Sequence, residues 1–114
     1  MLARNLSKVA WEIYTSFDWK TKKIIGDQFI EATDSVGANI AESSGKFHYL
    51  DRIKFLYNAR GSLHESRHWF ELIKERNLII KEQLIIEFEN IFNNLKTQLN
   101  SFINATYKAK AIMK

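Results

Sequence analysis

Apolar residues recur every three or four positions along most of the chain, which is the spacing of one face of an α-helix. The first stripe predicts a helix from about Asn5 to Phe17. Three longer stripes predict helices from about Trp19 to Ser44, Tyr49 to Arg76 and Lys81 to Lys108. Because the connections are short, consecutive helices should run antiparallel. The pattern therefore predicts an all-α, up-down-up-down antiparallel four-helix bundle that forms one domain over residues 1–114.

Capping residues define the predicted helix ends, and the inward apolar stripes define the predicted core. Asp18 is a suitable N-cap, because its carboxylate can accept from the free amides of the first turn. Gly45 suits the left-handed position that often ends a helix, and Asn77 is the predicted stop of the third helix. The residues expected inside the bundle are Phe29, Val36, Ile40, Leu56, Leu63, Phe70, Phe88, Leu95, Leu99 and Phe102.

The third and fourth predicted helices carry more apolar residues than one inward stripe needs. The residues outside the stripes are Leu50, Ile53, Tyr57, Ile85, Phe92 and Ile103. A helix that is apolar on a second face usually buries that face as well, so the sequence favours a homo-oligomer. The alternative is that these are scattered surface hydrophobic residues, which are normal in soluble proteins.

The composition agrees with a helical protein and removes several kinds of chemistry. With no proline and four glycines in 114 residues, the chain has few points at which a helix must break. The absence of cysteine excludes disulfides, thiolate zinc sites and cysteine nucleophiles. No apolar run reaches the ~20 residues that span a bilayer, and the first residues show no signal-peptide core. We therefore expect a cytoplasmic protein with no cofactor and no membrane partner.

The charge of the chain is compatible with two functions. Lysine and arginine number 17 against 13 aspartates and glutamates, for a net charge of +4 and a pI near 9.4. Such a basic domain suits a nucleic-acid-binding protein. The same net charge is also ordinary for a small soluble domain. A protein-interaction scaffold without nucleic acid therefore remains the alternative.

One motif in the third helix has the spacing of a zinc site. His64-Glu65-Ser66-Arg67-His68 matches H-E-x-x-H, in which two histidines hold zinc and the glutamate is the general base. Catalytic zinc needs a third protein ligand, and no histidine follows His68. The E-x-x-H unit within it also occurs in di-iron bundles, which require a second copy. We predict no metal and no enzyme, and a zinc hydrolase is the less favoured alternative.

Charged residues of the second and third helices are placed to pair across the predicted hairpin. In an antiparallel hairpin that turns near Phe47, positions equally far from the turn lie side by side. This rule pairs Glu42 with Arg52 and Lys54, Asp34 with Arg60, and Glu31 with His64 and Arg67. We interpret these as structural ion pairs that set the register of the two helices.

Two motifs in the middle of the chain resemble those of a known family. Residues 39–46 read NIAESSGK and residues 59–65 read ARGSLHE. They resemble the N-I-A-E-G-S-G-R and A-R-G-S-L-x-E motifs of the four-helix-bundle family encoded in 23S rRNA intervening sequences. The resemblance implies an up-down bundle, a ring-like homopentamer and no known enzymatic activity. It also implies a relation to the accessory variability protein of diversity-generating retroelements, which binds nucleic acid.

A nucleic-acid partner, RNA or DNA, would be expected at the second turn of the chain. Lys46, Arg52 and Lys54 would contact phosphates there, while Phe47 and Tyr49 would stack on unpaired bases. The aromatic residues could instead close the end of the core. Further phosphate contacts are predicted for Lys20, Lys22, Lys23, Lys108, Lys110 and Lys114.

Overall fold

Four helices account for nearly all of the chain. The computed structural model describes the backbone of residues 1–79 and 81–113 and the side chains of residues 1–79 and 81–109. The helices are α1 (Leu2–Thr15), α2 (residues 19–44), α3 (Tyr49–Glu75) and α4 (Glu82–Met113). Helix α2 consists of an α-helical turn, Trp19–Thr21, a π-helical turn, Lys22–Gly26, and a longer α-helix, Asp27–Ser44. The predicted helices are all present, although α1 begins earlier and α4 continues further than expected.

The helices form a closed ring of neighbours. Each helix packs against the next one in the chain, and α1 also packs against α4. This is the contact pattern of an up-down-up-down four-helix bundle, so the predicted fold class is confirmed. The bundle is elongated, with extents of 53 × 23 × 20 Å. The α2–α3 connection, the N-terminus of α1 and the C-terminal part of α4 therefore share one end.

Three phenylalanines from three different helices form the centre of the core. The ring of Phe70 stacks on Phe88 with centroids 4.1 Å apart, and Phe29 contacts both rings at 6.4 and 5.6 Å. All three side chains are fully buried. Five further residues of the predicted core are buried as expected: Val36, Leu56, Leu63, Leu95 and Leu99.

Two residues predicted for the core, Ile40 and Phe102, are not enclosed. Ile40 is half-buried and Phe102 is 42% exposed. Both line a groove that also contains the first residues of α1, Met1 and Leu2. Because α1 begins only at this level, it provides no apolar face to cover the outer side of Phe102. The prediction was wrong for Phe102 for that reason, whereas Ile40 still packs against the core from its edge.

Part of the apolar surface assigned to an outer face belongs to the core instead. Ile53, Phe92 and Ile103 are all buried within the protomer. Each helix of a bundle packs against two neighbours, so its buried stripe is wider than a single row of residues. Leu50 and Tyr57 stay exposed, as predicted. The apolar surplus is therefore smaller than the sequence indicated.

The predicted cap at the start of α2 is confirmed, whereas the left-handed conformation predicted at its end is not. The Asp18 carboxylate accepts from the Thr21 amide at 2.7 Å and caps α2, and hydrogen bonding by Thr21 lowers the pKa of Asp18. Gly45 is right-handed, with φ −87°, which corrects the left-handed end predicted there. The left-handed residue is Asn77, with φ 56°; the amides of Asn77 and Leu78 bond back to Lys74 and Ile73. This is the Schellman pattern of a helix C-terminus.

Helices α2 and α3 are joined through hydroxyl groups. The Thr33 and Ser66 hydroxyls lie 2.6 Å apart, both fully buried, and Thr33 also donates to the Phe29 carbonyl at 2.8 Å. A hydroxyl has one proton, so Ser66 is the donor to Thr33. Nearer the turn, the hydroxyls of Ser35 and Ser62 lie 2.9 Å apart. These paired hydroxyls set the register of the hairpin.

The hydroxyl contacts replace the predicted ion pairs. Among the described residues, no ion pair joins α2 to α3. Glu42 pairs with Lys46, one turn further along the chain, at 3.7 Å, while Glu31 and Asp34 are exposed. The reason is that both arginines point to α4: Arg60 donates to Asn100 at 3.2 Å and Arg67 lies over the Phe92 ring at 5.1 Å.

The buried hydroxyl pair leads to a prediction about stability. Thr33→Val should cost about 1–3 kcal/mol of unfolding free energy, because the buried Ser66 proton loses its acceptor. Ser66→Ala should cost less, since Thr33 keeps its bond to the Phe29 carbonyl. The double variant should be more stable than Thr33→Val alone, because no hydroxyl is then left unpaired. Urea denaturation of the four proteins measures this cycle, and strictly additive losses would contradict it.

Candidate nucleic-acid interface

One half of the α3–α4 hairpin carries no carboxylate. Residues 52–64 of α3 and residues 90–109 of α4 contain no aspartate or glutamate. The two segments lie side by side, because the Tyr57 and Tyr107 hydroxyls are 2.8 Å apart. We call this surface the basic half of the hairpin. Its lysines and arginines are Arg52, Lys54, Arg60, Lys96 and Lys108.

Positive charge is concentrated around His64. Arg60 lies one turn before His64 on α3 and Arg67 about one turn after it, so the three side chains share a face of the helix. Lys96 approaches from α4. Partial burial first, and then the charges of Lys96, Arg60 and Arg67, lower the pKa of His64. The imidazole is therefore largely neutral at pH 7, beside three permanent positive charges.

The position of Lys96 follows from the contacts on either side of it. Arg60 reaches Asn100 of α4, and Arg67 lies over Phe92 of the same helix. Lys96 stands four residues from each, on the same face of α4. The alignment of α3 and α4 thus places Lys96 opposite His64.

Two exposed tyrosines extend this basic cluster towards the end of the bundle. The guanidinium of Arg60 lies over the ring of Tyr57, 4.8 Å from its centroid. The Tyr57 hydroxyl bonds to that of Tyr107, and this bond is the main cause that raises the pKa of Tyr107. Both rings are about 40% exposed. Basic and aromatic groups therefore alternate along the α3–α4 groove, as on surfaces that bind single-stranded nucleic acid.

The site predicted at the α2–α3 turn is only partly assembled. Lys46 pairs with Glu42 and lies over Phe55 at 5.3 Å, while Arg52 Nε donates to the Lys46 carbonyl at 2.7 Å. These two cations therefore also hold the turn together. Lys54 is exposed, but it stands two residues beyond Arg52 and points about 200° around the helix from it.

The aromatic residues of the turn differ from each other. Phe47 is 96% exposed and does not close the end of the core. Tyr49 is half-buried and lines a groove of about 440 Å³ between α2, α3 and α4. Phe47 thus remains available for stacking, and the alternative of a core-sealing residue is excluded for it.

The lysines at the start of α2 lie at the opposite end of the bundle, and two of them have local partners. Lys23 pairs with Asp27 at 3.6 Å, and Lys22 lies over the Tyr14 ring at 5.2 Å. Tyr14 donates to Asp27 at 2.6 Å, which is the main reason that the pKa of Tyr14 is raised. The predicted contacts at Lys110 and Lys114 fall outside the side chains that the structure describes.

The histidines of the H-E-x-x-H motif lie on α3 in different surroundings. His64 belongs to the basic cluster, whereas His68 packs edge-on against Trp69 at 5.0 Å. The Glu65 carboxylate accepts from the Trp69 indole at 3.3 Å. Within the described residues, no three histidine or acidic side chains are grouped as metal ligands. Across all of the described residues, no helix is long and apolar enough to cross a membrane.

The pairing rule applied to the sequence misassigned Arg60, His64 and Arg67. It paired them with acidic residues of α2, and so hid their position next to Lys96. The sequence does contain a sign of this surface. Residues 52–64 and 90–109 both lack carboxylates, and they lie at overlapping distances before and after the α3–α4 connection. The three-dimensional alignment turns these stretches into one basic surface.

Comparison with known proteins gives a family and a fold. The family model described as 23S rRNA-intervening sequence protein matches residues 1–101. A crystal structure at 1.70 Å resolution of a protein with unknown function, from the S23 ribosomal protein family of Bacteroides thetaiotaomicron VPI-5482, has a similar fold. The TM-score is 0.75 at 23% sequence identity, and the similarity covers 90% of this chain and 98% of that one. No curated protein matches the chain.

The absence of a catalytic metal stays a prediction that elemental analysis can check. Purified protein should contain far less than one zinc per chain, because a catalytic zinc site needs three protein ligands. His64→Gln and His68→Gln should leave any residual zinc content unchanged. Zinc at one equivalent per chain, lost in either variant, would contradict this.

Proposed function

The chain belongs to the 23S rRNA-intervening sequence protein family, and from that premise we propose that it is a non-enzymatic, self-associating bundle that binds single-stranded nucleic acid. In this proposal the strand lies along the basic half of the α3–α4 hairpin. The protein acts in the cytoplasm. RNA is the first probe, because the family takes its description from a ribosomal RNA.

The observation that carries this proposal is the segregation of charge on α3 and α4. A phosphate backbone is attracted to a surface that is positive along its length, and every carboxylate on that surface would weaken the attraction. Residues 52–64 and 90–109 provide such a surface without an acidic residue. A net charge of +4 spread evenly over the protein would have no comparable effect.

The aromatic residues along the surface support a single strand rather than a duplex. Tyr57, Tyr107 and Phe47 expose ring surface beside lysines and arginines. Unpaired bases stack on such rings, at about 1–3 kcal/mol per base, whereas the bases of a duplex are already stacked on each other. The turn residues Lys46, Arg52, Lys54, Phe47 and Tyr49 would contact the end of the bound strand.

A catalytic role is not part of the proposal. The cluster around His64 contains cations but no carboxylate that would orient the imidazole as a general base. The residues that remain are suited to binding a phosphate group. Binding without turnover is therefore the function that these side chains support.

Self-association is supported by the exposed apolar residues at the same end of the bundle. Phe102 borders two grooves, one of about 440 Å³ beside α3 and one of about 410 Å³ beside α1. Met1 and Leu50 are also well exposed. A second copy that covers Phe102 would remove this apolar surface from water, and the family resemblance suggests a pentamer. The same surface favours the second candidate function, an oligomeric protein scaffold that binds an unidentified protein and no nucleic acid.

The nucleic-acid proposal predicts how binding responds to charge removal. The variant Arg60→Gln/Arg67→Gln/Lys96→Gln should bind a uridine oligonucleotide more weakly, and its slope of log Kd against log salt should fall by about 2, because about 0.7 is lost per phosphate contact. Lys46→Gln/Arg52→Gln/Lys54→Gln should show a smaller loss, since two of these cations hold the turn. Fluorescence anisotropy at several salt concentrations measures both.

The matched control removes the same charge from the opposite end of the bundle. Lys20→Gln/Lys22→Gln/Lys23→Gln should bind nearly as the parent does, apart from the general effect of net charge. Circular dichroism should confirm that all three variants stay helical. An equal loss in the control would contradict the proposed surface. A parent protein with no salt-dependent binding would favour the scaffold.

The self-association proposal predicts a mass well above that of one chain. Light scattering should give a multiple of 13.4 kDa, and five times that value if the assembly is the pentamer. Phe102→Asp should dissociate it, because a carboxylate would have to be buried at the contact. Trp19→Asp, which changes an exposed aromatic residue at the other end of the bundle, is the control and should not. A mass of one chain at all concentrations would exclude self-association.

A further inference from the structure

The cations around His64 form no ion pair with any residue that the structure describes. The ion pairs of the described residues join Lys23 to Asp27, Lys46 to Glu42, and Lys74 to Glu71 and Glu89. None of them includes Arg60, Arg67 or Lys96. Three permanent positive charges therefore lie on one surface, and none of them forms an ion pair with a carboxylate of the described residues. Such an arrangement is unfavourable by itself and becomes favourable when an anion binds.

Three acidic side chains lie near the cluster, and each has another partner. Glu71 and Glu89 lie beside Arg67 at the far end of the cluster, where both pair with Lys74 at 3.6 and 3.4 Å. Glu65 follows His64 directly, but its carboxylate bonds to Trp69. The groups whose charge acts on His64 are the cations Arg60 and Arg67 of α3 and Lys96 of α4.

We propose that Arg60, His64, Arg67 and Lys96 form a proton-linked anion site, in which binding of a phosphate or sulfate group is accompanied by uptake of one proton on His64. This inference rests on the proposed function for the natural source of the anion, a phosphate of the bound strand. The three fixed cations attract the anion. Protonation then makes the His64 imidazole a fourth cation. It also gives the ring a second N–H group, which can donate to the anion.

The coupling follows from electrostatics at close range. Without an anion, partial burial and then the neighbouring cations disfavour the imidazolium, so the pKa of His64 lies below its ordinary value. An anion within a few ångströms offsets the field of the neighbouring cations and so favours the imidazolium. By linkage, protonation must then strengthen anion binding by the same factor. Affinity therefore rises as pH falls from the pKa of the bound state to that of the free state, and is level outside that interval.

The first test uses inorganic sulfate, whose charge is constant over the pH range in question. Histidine titrations by NMR are recorded in chloride and in sulfate at equal ionic strength, with His64→Gln to assign the signal. The titration midpoint of His64 should move to higher pH in sulfate. The signals of His48, at the α2–α3 turn, and of His68, packed against Trp69, are recorded in the same spectra as internal controls. A His64 midpoint that moves no more than that of His68 would overturn the inference.

The second test uses the oligonucleotide and separates this inference from the proposed function. The parent should bind about tenfold more tightly at pH 5.5 than at pH 8, which corresponds to one proton taken up over about one pKa unit. His64→Gln should abolish most of this dependence, whereas His68→Gln should retain it. Salt-dependent binding with an unchanged pH dependence in His64→Gln would leave the proposed function standing and the inference wrong. A sulfate-dependent His64 without oligonucleotide binding would support the anion site and reject the strand as its source.

Discussion

The stacking of Phe70 on Phe88 determines how α3 and α4 lie against each other, and the surface of the protein depends on that alignment. The rings are 4.1 Å apart at the centre of the bundle, and Phe29 of α2 packs against both. Both helices are long and without proline, so the alignment at this point is carried along their whole length. It places the carboxylate-free segment of α3 beside that of α4. A shift by one turn would separate Arg60 from Asn100 and Lys96 from His64.

The contact between α2 and α3 contributes to the same surface in an indirect way. Because paired hydroxyls such as Thr33 and Ser66 join these two helices, α2 offers no carboxylate to the arginines of α3. Arg60 and Arg67 instead lie along α4, on an amide and an aromatic ring. Hydrogen bonds between neutral groups thus hold the register, and the positive charges remain available for an anion. Ion pairs across this interface would have neutralised them.

The proposed apolar contact and the proposed strand-binding surface share one end of the bundle. Phe102 lies on the same part of α4 as Asn100, and the groove beside it is lined by Arg52 and Tyr49 of α3. An assembly built through Phe102 would therefore bring the basic surfaces of several copies near one another. Binding sites that are linked in this way engage a long strand with much higher affinity than one site alone. This would compensate for the small number of phosphate contacts that one protomer offers.

Much of the fold was determined by the sequence itself. The positions of the four helices, the Asp18 cap and eight of the ten predicted core residues follow from apolar periodicity and local hydrogen bonding, which act within a few residues of chain. The two stretches without carboxylates can also be read directly. The bundle as a fold class follows from the same signals, because short connections between long helices leave few arrangements.

The tertiary structure decided what depends on contacts between helices. It placed Ile53, Phe92 and Ile103 in the core and left Phe102 exposed, according to which neighbour reaches each position. It also directed Arg60 to α4 rather than to α2, and brought Lys96 opposite His64. The periodicity of one helix defines its buried face but contains no information on the register of its neighbour. That register comes from ring stacking and paired hydroxyls between residues far apart in the chain.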